Sequence, residues 1–235
     1  MFVELFPAGF EELERDGAVE LAAYTGPEGE EALRARFGAV HTKEVEEGWE
    51  ERWREFHRPV RVAGLWIGPP WLEPEPGLGA VVIDPGRAFG TGAHASTRLA
   101  LGLLHGLPRG SLLDVGCGSG VLSIAALRLG FGPVVAVDSD PLAVEATLEN
   151  AERNGVALDV RLVDALAEPL PVARTAVANI ALRPVEALAP LIAAEVFVTA
   201  GYLSTEHPST PGWEHVCRAV EGEWAADRLR RDPAN

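Results

Sequence analysis

The sequence predicts an α/β protein in which a doubly wound, mostly parallel sheet follows a small α+β unit. From about residue 80 onwards, short apolar segments rich in β-branched residues alternate with helical segments, as in parallel strands joined by helices. A glycine-rich loop directly follows one of these segments and opens a helix. With 235 residues, 47% of them hydrophobic, the chain has room for one large domain and a small companion.

The small unit is assigned to residues 1–60. Acidic helical candidates lie near residues 10–15 and 27–37, and apolar stretches lie at Met1–Phe6 and Ala18–Tyr24. A further helical pattern places three aromatic side chains on one face, where we expect them to pack on the core, at Trp49, Trp53 and Phe56.

A proline-rich passage, residues 61–79, separates this unit from the large domain, residues 80–235. Four prolines between positions 69 and 76 exclude a helix, so we interpret the passage as a semi-rigid connector. In the large domain, strands are predicted at SLLDV (111–115), PVVAVD (133–138), LDVRLV (158–163) and TAVANI (175–180). Further strands are expected around VFVTAGYL and EWAADRL, with a polar loop between them.

One helix of the large domain is marked at both ends. Asp140 is placed to accept hydrogen bonds from the first turn, and Pro141 fits the first helical position because no backbone donor is needed there. Asn154 and Gly155 are typical of a helix end. We therefore predict a helix between these two signals.

The charge of the chain limits its partners. Twenty basic and 35 acidic residues give a formal charge of −15, which disfavours stable nucleic-acid binding and favours a cationic substrate, cofactor or protein partner. No apolar run reaches the roughly 18 residues of a membrane span, and the acidic start lacks the pattern of a secretory signal. With only two cysteines, Cys117 and Cys217, the chain is expected to be cytoplasmic.

The predicted chemistry centres on a glycine-rich loop with the sequence LDVGCGSG. Gly116 and Gly118 let the backbone turn tightly and let a ligand approach without interference from a Cβ atom. Asp138 ends the next strand, eighteen positions after Gly120, where a carboxylate can accept hydrogen bonds from both hydroxyls of a ribose. An ordinary tight turn between a strand and a helix is the alternative interpretation.

Acidic residues around the loop favour a cationic, nucleotide-like ligand. A dinucleotide fingerprint needs a third glycine where this chain has Val121. Asp114 would repel phosphate but can orient the loop around a cationic or zwitterionic group, and Asp164 can meet an adenine amino group. These features fit S-adenosylmethionine, a sulfonium with an amino-acid tail, better than NAD.

Two further segments complete the predicted site. The segment from Asp84 to Thr97 is rich in glycines and hydroxyls that can cover a bound ligand, and Ser96 or Thr97 can cap the next helix. His94 in this segment is either a structural hydrogen-bonding group or a base. Asn179 ends a strand, so it projects toward the ligand edge of a doubly wound sheet, unless it is only a turn asparagine.

The chain resembles the PrmA family from about Trp49 to Ile180, in the segments FGTGAHAST, LDVGCGSGVLSIAALRLG, AVDSDPLAVEATLENAERNGV and VANI. The resemblance implies a class I methyltransferase with a Rossmann-like fold. It also implies S-adenosylmethionine as the cofactor, and methylation of lysine side chains and the N-terminal amine of a basic substrate, large-subunit ribosomal protein eleven. The glycine loop and the DSDP segment occur in many class I methyltransferases, whereas FGTGAHAST is much more specific.

The resemblance also assigns residues. Thr97, Gly116, Asp138 and Asn179 match cofactor-contacting positions of the family, and residues 1–60 would be its substrate-recognition domain. The full set expected at the cofactor is Phe89, Gly90, Thr91, Thr97, Asp114, Gly116, Gly118, Asp138, Ser139, Asp164, Ala165 and Asn179, with Asn179 and His94 as candidate catalytic residues. The N-terminal unit is shortened, and the glycine pair that is usual before the late strands is missing.

Two alternatives stay open for the function. The same fold can serve a methyltransferase that acts on another protein or a small amine, and a catalytically silent fold can serve as a binding module. Methylation of nucleic acid or of glutamine amides is disfavoured, because N-P-P-Y or a close variant is replaced here by Asn179-Ile180-Ala181-Leu182. The spacing of the six histidines and the cysteines predicts no metal site.

Overall fold

The computed structural model describes residues 11–15, 18–22, 27–38, 40–42, 58–84 and 92–233. The chain divides into two compact units, residues 1–55 and 56–235. Among the described residues, the first unit contains a hairpin and a helix, and the second contains two sheets and four helices.

The first unit begins with a β-hairpin. Strand β1, Glu11–Arg15, pairs antiparallel with β2, Ala18–Ala22, so the helix predicted near residues 10–15 is wrong. Glutamate-rich sequence favours a helix only weakly, and pairing with the neighbouring strand outweighs that preference. Helix α1, Pro27–Phe37, confirms the second helical candidate. The predicted aromatic stripe, residues 49–56, lies outside the described residues.

Three strands form a small sheet where a connector was predicted. Strand β4, Leu65–Gly68, lies between β3, Val60–Val62, and β5, Gly79–Val82. It pairs antiparallel with β3 and parallel with β5. Strands therefore replace much of the connector expected at residues 61–79, and the four prolines lie between β4 and β5. The reason is burial, since the apolar side chains of β4 pack into the core of the second unit.

The second unit is built on a seven-stranded sheet with the order β11-β12-β10-β9-β6-β7-β8. The strands are β6 Leu112–Val115, β7 Val134–Asp138, β8 Asp159–Leu162, β9 Thr175–Asn179, β10 Val196–Leu203, β11 Trp213–Glu221 and β12 Trp224–Arg231. The first five of these run parallel, and β12 and β11 add an antiparallel edge. All six predicted strands of the large domain are confirmed, whereas β11 was not predicted.

Four helices belong to this unit: α2 Ala95–His105, α3 Val121–Arg128, α4 Pro141–Arg153 and α5 Leu182–Leu188. Helix α4 has the predicted cap, because Asp140 Oδ1 accepts a hydrogen bond from a first-turn N–H at 2.9 Å. Helix α2 is capped by His94 and not, as predicted, by Ser96 or Thr97, whose buried side chains lie inside the first turn. No helix in the described part of the chain is long and apolar enough to cross a membrane.

Alternate side chains of the sheet pack on opposite faces. In β6, Leu112 belongs to a core cluster with residues of α2 and α3, whereas Leu113 belongs to a second cluster with residues of α5. The parallel strands are therefore covered on both faces. This burial explains why their sequences are nearly continuous apolar runs.

Candidate active site

The candidate site lies at the carboxyl ends of the parallel strands, where the strand order reverses. From β6 the chain proceeds to β7 and β8 on one side, and then returns to β9 and β10 on the other. Strand β6 is hydrogen-bonded to both β7 and β9. Gly116, Asp138 and Asn179, which mark the ends of these three strands, therefore lie at one edge, the position where doubly wound sheets bind ligands.

The loop after β6 is fastened to its neighbours by close backbone contacts. Gly116 and Cys117 donate their N–H groups to the Val137 carbonyl at 2.9 and 3.1 Å. Gly116 has a φ of 73°, and a Cβ atom there would lie 2.7 Å from Cγ2 of Ile180, the residue after β9. Only glycine fits this conformation and this spacing, so the loop lies directly against the end of β9.

Asp138 holds the same loop from the end of β7. Its Oδ2 accepts a hydrogen bond from the Gly118 N–H at 3.0 Å, and its Oδ1 accepts one from the Asp140 N–H at 3.0 Å. The side chain is half-buried, and each carboxylate oxygen has a second lone pair. Asp138 can therefore accept two hydroxyl donors while it holds the loop. The neighbouring Ser139 is exposed.

Asp114, on β6 just before the loop, is fully buried. Ser123 Oγ donates to Asp114 Oδ2 at 2.6 Å, whereas Oδ1 has no hydrogen-bond partner among the described residues. Burial raises the pKa of Asp114 to about 6; hydrogen bonds with Ser123 oppose the rise, and the charge of Asp138 adds to it. A buried carboxylate oxygen without a donor favours a cationic or N–H-bearing group at this loop.

Asn179 is held in place by Thr97 of helix α2. Asn179 Nδ2 donates to Thr97 Oγ1 at 3.1 Å, although the two residues are 82 positions apart. Thr97 is buried, while Asn179 is partly exposed. Because the amide nitrogen is bound to Thr97, the amide oxygen is the atom that can accept a hydrogen bond from an amine. The structure thus brings together two residues predicted from separate motifs.

His94 caps helix α2 and contacts the C-terminal hairpin. Its Nδ1 accepts a hydrogen bond from the Ser96 N–H at 3.3 Å and lies 2.7 Å from Ser96 Oγ. The ring lies edge-on to Trp224, with 4.3 Å between the centroids. Burial, followed by the charge of Arg98, lowers the pKa of His94. Because Nδ1 accepts the Ser96 N–H, the neutral ring carries its hydrogen on Nε2 and its lone pair is occupied, which favours the structural interpretation over a base.

The hairpin of β11 and β12 holds helix α2 at a second point. Arg98 of α2 forms an ion pair with Glu221, with Arg98 Nε 3.1 Å from Glu221 Oε1, and also donates to the Ala93 carbonyl. Glu221 and Trp224 flank the turn of this hairpin. Neither residue was predicted at this site, because β11 was not predicted and no motif placed the hairpin beside α2.

Asp164 and Ala165 lie just beyond the end of β8. The Val163 N–H donates to the Asp138 carbonyl at 2.8 Å, which places this segment beside the end of β7. Asp164 is exposed, and its Oδ1 accepts a hydrogen bond from the Leu166 N–H at 3.0 Å. Ala165 is half-buried. Contact of these residues with an adenine stays a prediction.

The FGTGAHAST segment is described only from Gly92 onwards. Phe89, Gly90 and Thr91 lie outside the described residues, so their roles stay predictions. Gly92 has a φ of 83°, and a Cβ atom there would lie 2.5 Å from Ile67 Cγ2. Glycine therefore lets this segment lie directly against strand β4.

Cys117 is protected from reaction. Thr147 Oγ1 lies 3.3 Å from Cys117 Sγ, and burial raises the pKa of the thiol to about 12, so it stays protonated at neutral pH. Within the described ranges, no three His, Cys, Asp or Glu side chains form a group that can hold a metal ion. The described groups at this edge include carboxylates, hydroxyls and amides, and their negative charges suit a cation better than a phosphate.

Comparison with known proteins gives consistent matches. The family model described as ribosomal protein L11 methyltransferase (PrmA) matches residues 16–230. The ribosomal protein L11 methyltransferase of Edwardsiella ictaluri is 38% identical over 218 residues, which cover 90% of this chain and 74% of that protein. The one of Vibrio campbellii is 47% identical over 150 residues, which cover 61% of this chain and 50% of that protein.

A solved structure agrees with this match. The ribosomal protein L11 methylase of Lactobacillus delbrueckii subsp. bulgaricus superimposes with a TM-score of 0.69 at 25% identity, covering 74% of this chain and 99% of that one. The present chain spans between half and three quarters of the length of the two curated relatives named above. The similarity therefore includes both the sequence motifs and the fold that carries them.

Proposed function

This chain belongs to the ribosomal protein L11 methyltransferase (PrmA) family, and from that premise we propose that it transfers methyl groups from S-adenosylmethionine to amines of ribosomal protein L11. The acceptors are lysine side chains and the N-terminal amine. The observation that carries the proposal is the pairing of Thr97 with Asn179, at the same sheet edge as Asp138 and the glycine loop. This pairing offers an acceptor for an amine close to a carboxylate that fits a ribose.

The residues at this edge fit the cofactor. Asp138 would accept hydrogen bonds from the ribose hydroxyls, and Asp164 would accept one from the adenine amino group. The backbone of the loop from Gly116 to Gly118 would lie against the cofactor. One observation supports this fit: Asp114 Oδ1 is buried, and no donor among the described residues reaches it. When bound, S-adenosylmethionine supplies an electrophilic methyl group on a sulfonium sulfur.

The acceptor amine must first become neutral. A lysine amine has a pKa near 10.4 in water, so at pH 7 it arrives protonated and without a free lone pair. Asn179 Oδ1 accepts a hydrogen bond from the amine and orients the lone pair that deprotonation exposes. Because positive charge reappears on the nitrogen during methyl transfer, the same acceptor stabilises the transition state. Water takes the proton, and assistance by His94 would require its Nδ1 to leave Ser96.

The N-terminal residues 1–60 are proposed to recognise the substrate protein. The net charge of −15 supports a basic partner, because opposite charges speed association and disfavour wrong partners. The same charge supports the absence of stable nucleic-acid binding, and the enzyme would work in the cytoplasm, where its substrate is made.

Methylation of purified L11 tests the proposed function directly. The chain is incubated with L11 and S-adenosylmethionine, and the products are analysed by intact-mass and peptide mass spectrometry. We expect mass increases of about 14 Da per methyl group, confined to lysine side chains and the N-terminal amine. Donor binding without transfer to L11, but with transfer to another protein or a small amine, would support the alternative substrate. Binding without transfer to any acceptor would support a silent module.

Replacing Asn179 with alanine is expected to lower kcat about tenfold at saturating cofactor. The substitution removes one hydrogen bond made to the reacting nitrogen, worth about 1 to 1.5 kcal/mol. Initial rates of L11 methylation measure the effect. Thr97→Ser is the matched control, since it keeps the hydroxyl that holds Asn179 and should retain most activity. Full turnover in Asn179→Ala would remove Asn179 from the mechanism.

A further inference from the structure

One edge of strand β5 is paired with side chains instead of a strand. On its other edge, β5 pairs with β4. On the free edge, Asn154 Oδ1 accepts from the Val82 N–H at 2.8 Å, and Asn154 Nδ2 donates to the Val82 carbonyl at 2.6 Å. Asn150 Oδ1 accepts from the Asp84 N–H at 3.0 Å. These bonds fall on alternate residues, the period at which a neighbouring strand would pair.

The same helix face also holds the glycine loop. Thr147 Oγ1 donates to the Gly118 carbonyl at 2.9 Å, and Asn150 Nδ2 donates to the Ser119 carbonyl at 3.0 Å. Thr147 and Asn150 are three positions apart on α4, so they lie on one face. Asn150 is 2% exposed, and both ends of its amide are bonded. The amide nitrogen of Asn150 thus contacts the glycine loop, and its amide oxygen contacts Asp84.

We propose that Asn150 is a positioning residue that sets the distance between the glycine loop and Asp84, just after the end of β5. The glycine loop flanks the proposed cofactor site, since Asp138 holds it. An amide is required because it combines a donor and an acceptor on one rigid group. Aspartate lacks the donor, and alanine lacks both. This role rests on the proposed function insofar as S-adenosylmethionine is the ligand used to detect it.

Asn154 provides a matched control on the same helix face. It holds β5 through Val82 and also donates to the Asn150 carbonyl, but its described hydrogen bonds include none to the glycine loop. Asn154→Ala therefore removes a buried amide and two bonds to β5 without removing the bridge. If Asn150 had a purely structural role, Asn150→Ala and Asn154→Ala would have equal effects on cofactor affinity and on hydrogen exchange.

The test compares the two variants by cofactor affinity and by hydrogen exchange. Calorimetric titration with S-adenosylmethionine should show binding about tenfold weaker in Asn150→Ala than in Asn154→Ala. Without ligand, hydrogen exchange followed by mass spectrometry should be faster in Asn150→Ala for peptides covering both 79–84 and 116–120. In Asn154→Ala the faster exchange should be confined to 79–84.

A second substitution keeps the test decisive if Asn150→Ala does not fold. Asn150→Asp retains the acceptor for the Asp84 N–H and loses the donor to Ser119, so only the glycine-loop peptides should exchange faster. Affinity within twofold of Asn154→Ala, or exchange that rises only in 79–84, would overturn the proposal. If the wild type does not bind S-adenosylmethionine, the proposed function fails, and the exchange data still decide the role of Asn150.

Discussion

Replacing Asp138 with alanine is expected to weaken the binding of S-adenosylmethionine about a hundredfold. The carboxylate is proposed to accept hydrogen bonds from two ribose hydroxyls while it also holds the Gly118 and Asp140 N–H groups. A hydrogen bond to a charged group is worth about 1.5 to 3 kcal/mol, and a loss of about 3 kcal/mol corresponds to roughly a hundredfold in Kd. Isothermal titration calorimetry at pH 7.5 measures the change.

Two variants separate the ribose contact from other effects of this substitution. Asp138→Asn keeps one acceptor, so its affinity for S-adenosylmethionine should lie between those of the wild type and Asp138→Ala. Asp159→Ala removes the same charge from the amino-terminal end of β8, and it should leave affinity close to that of the wild type. Wild-type affinity in Asp138→Ala would exclude its role at the ribose.

Replacing Asp114 with asparagine is expected to stabilise the fold by about 3 kcal/mol at pH 8 and by almost nothing near pH 4. Burial raises the pKa of this carboxyl from 3.8 to about 6, so the folded state binds a proton more tightly than the unfolded state does. Below pH 4 the carboxyl of Asp114 is protonated in both states and does not destabilise the fold. As the pH rises through 6 the buried carboxyl becomes charged, and the free energy of unfolding falls. At 1.36 kcal/mol for each pKa unit, the difference approaches 3 kcal/mol.

Urea unfolding at pH 4 and pH 8 measures this difference. Ser123→Ala serves as the comparison, because it removes the hydrogen bond that favours the charged carboxylate and should lower stability mainly at pH 8. Equal effects of Asp114→Asn on the free energy of unfolding at the two pH values would show that the pKa of the Asp114 carboxyl is not raised. Asp114→Asn should also weaken cofactor binding, because a negative charge that destabilises the fold here would attract a cationic ligand.

The sequence was most informative where local signals and burial agree. The strands that end at Asp138 and Asn179 are apolar runs bounded by clear breaks, and α4 has Asp140 and Pro141 at its start. Because parallel strands share a carboxyl edge, these residues could be placed together from the sequence alone. The strength of this prediction comes from topology, which is fixed once the strands are known.

The features that were missed depend on contacts between distant residues. Strand β11 lies at a sheet edge and buries only its first residue, Trp213, so its sequence lacks the apolar pattern that predicts a strand. Strand β4 is stabilised by packing on the core, but the four nearby prolines favoured the prediction of a connector. Asn150 looked like an ordinary helix residue and Asn154 like a helix end, since their partners at positions 82, 84 and 119 are 31 to 72 residues away. No local pattern encodes such pairings.

The contact between His94 and Trp224 has a consequence for synthesis of the protein. The two rings are separated by 130 residues of chain, so a ribosome must make nearly all of the second unit before the start of α2 can reach its partner. Long-range contacts of this kind form late, after the local elements. A nascent chain that has only reached β10 therefore carries Thr97 and Asn179 but not the hairpin that fastens α2, so the proposed site would be completed only after β11 and β12 have been made.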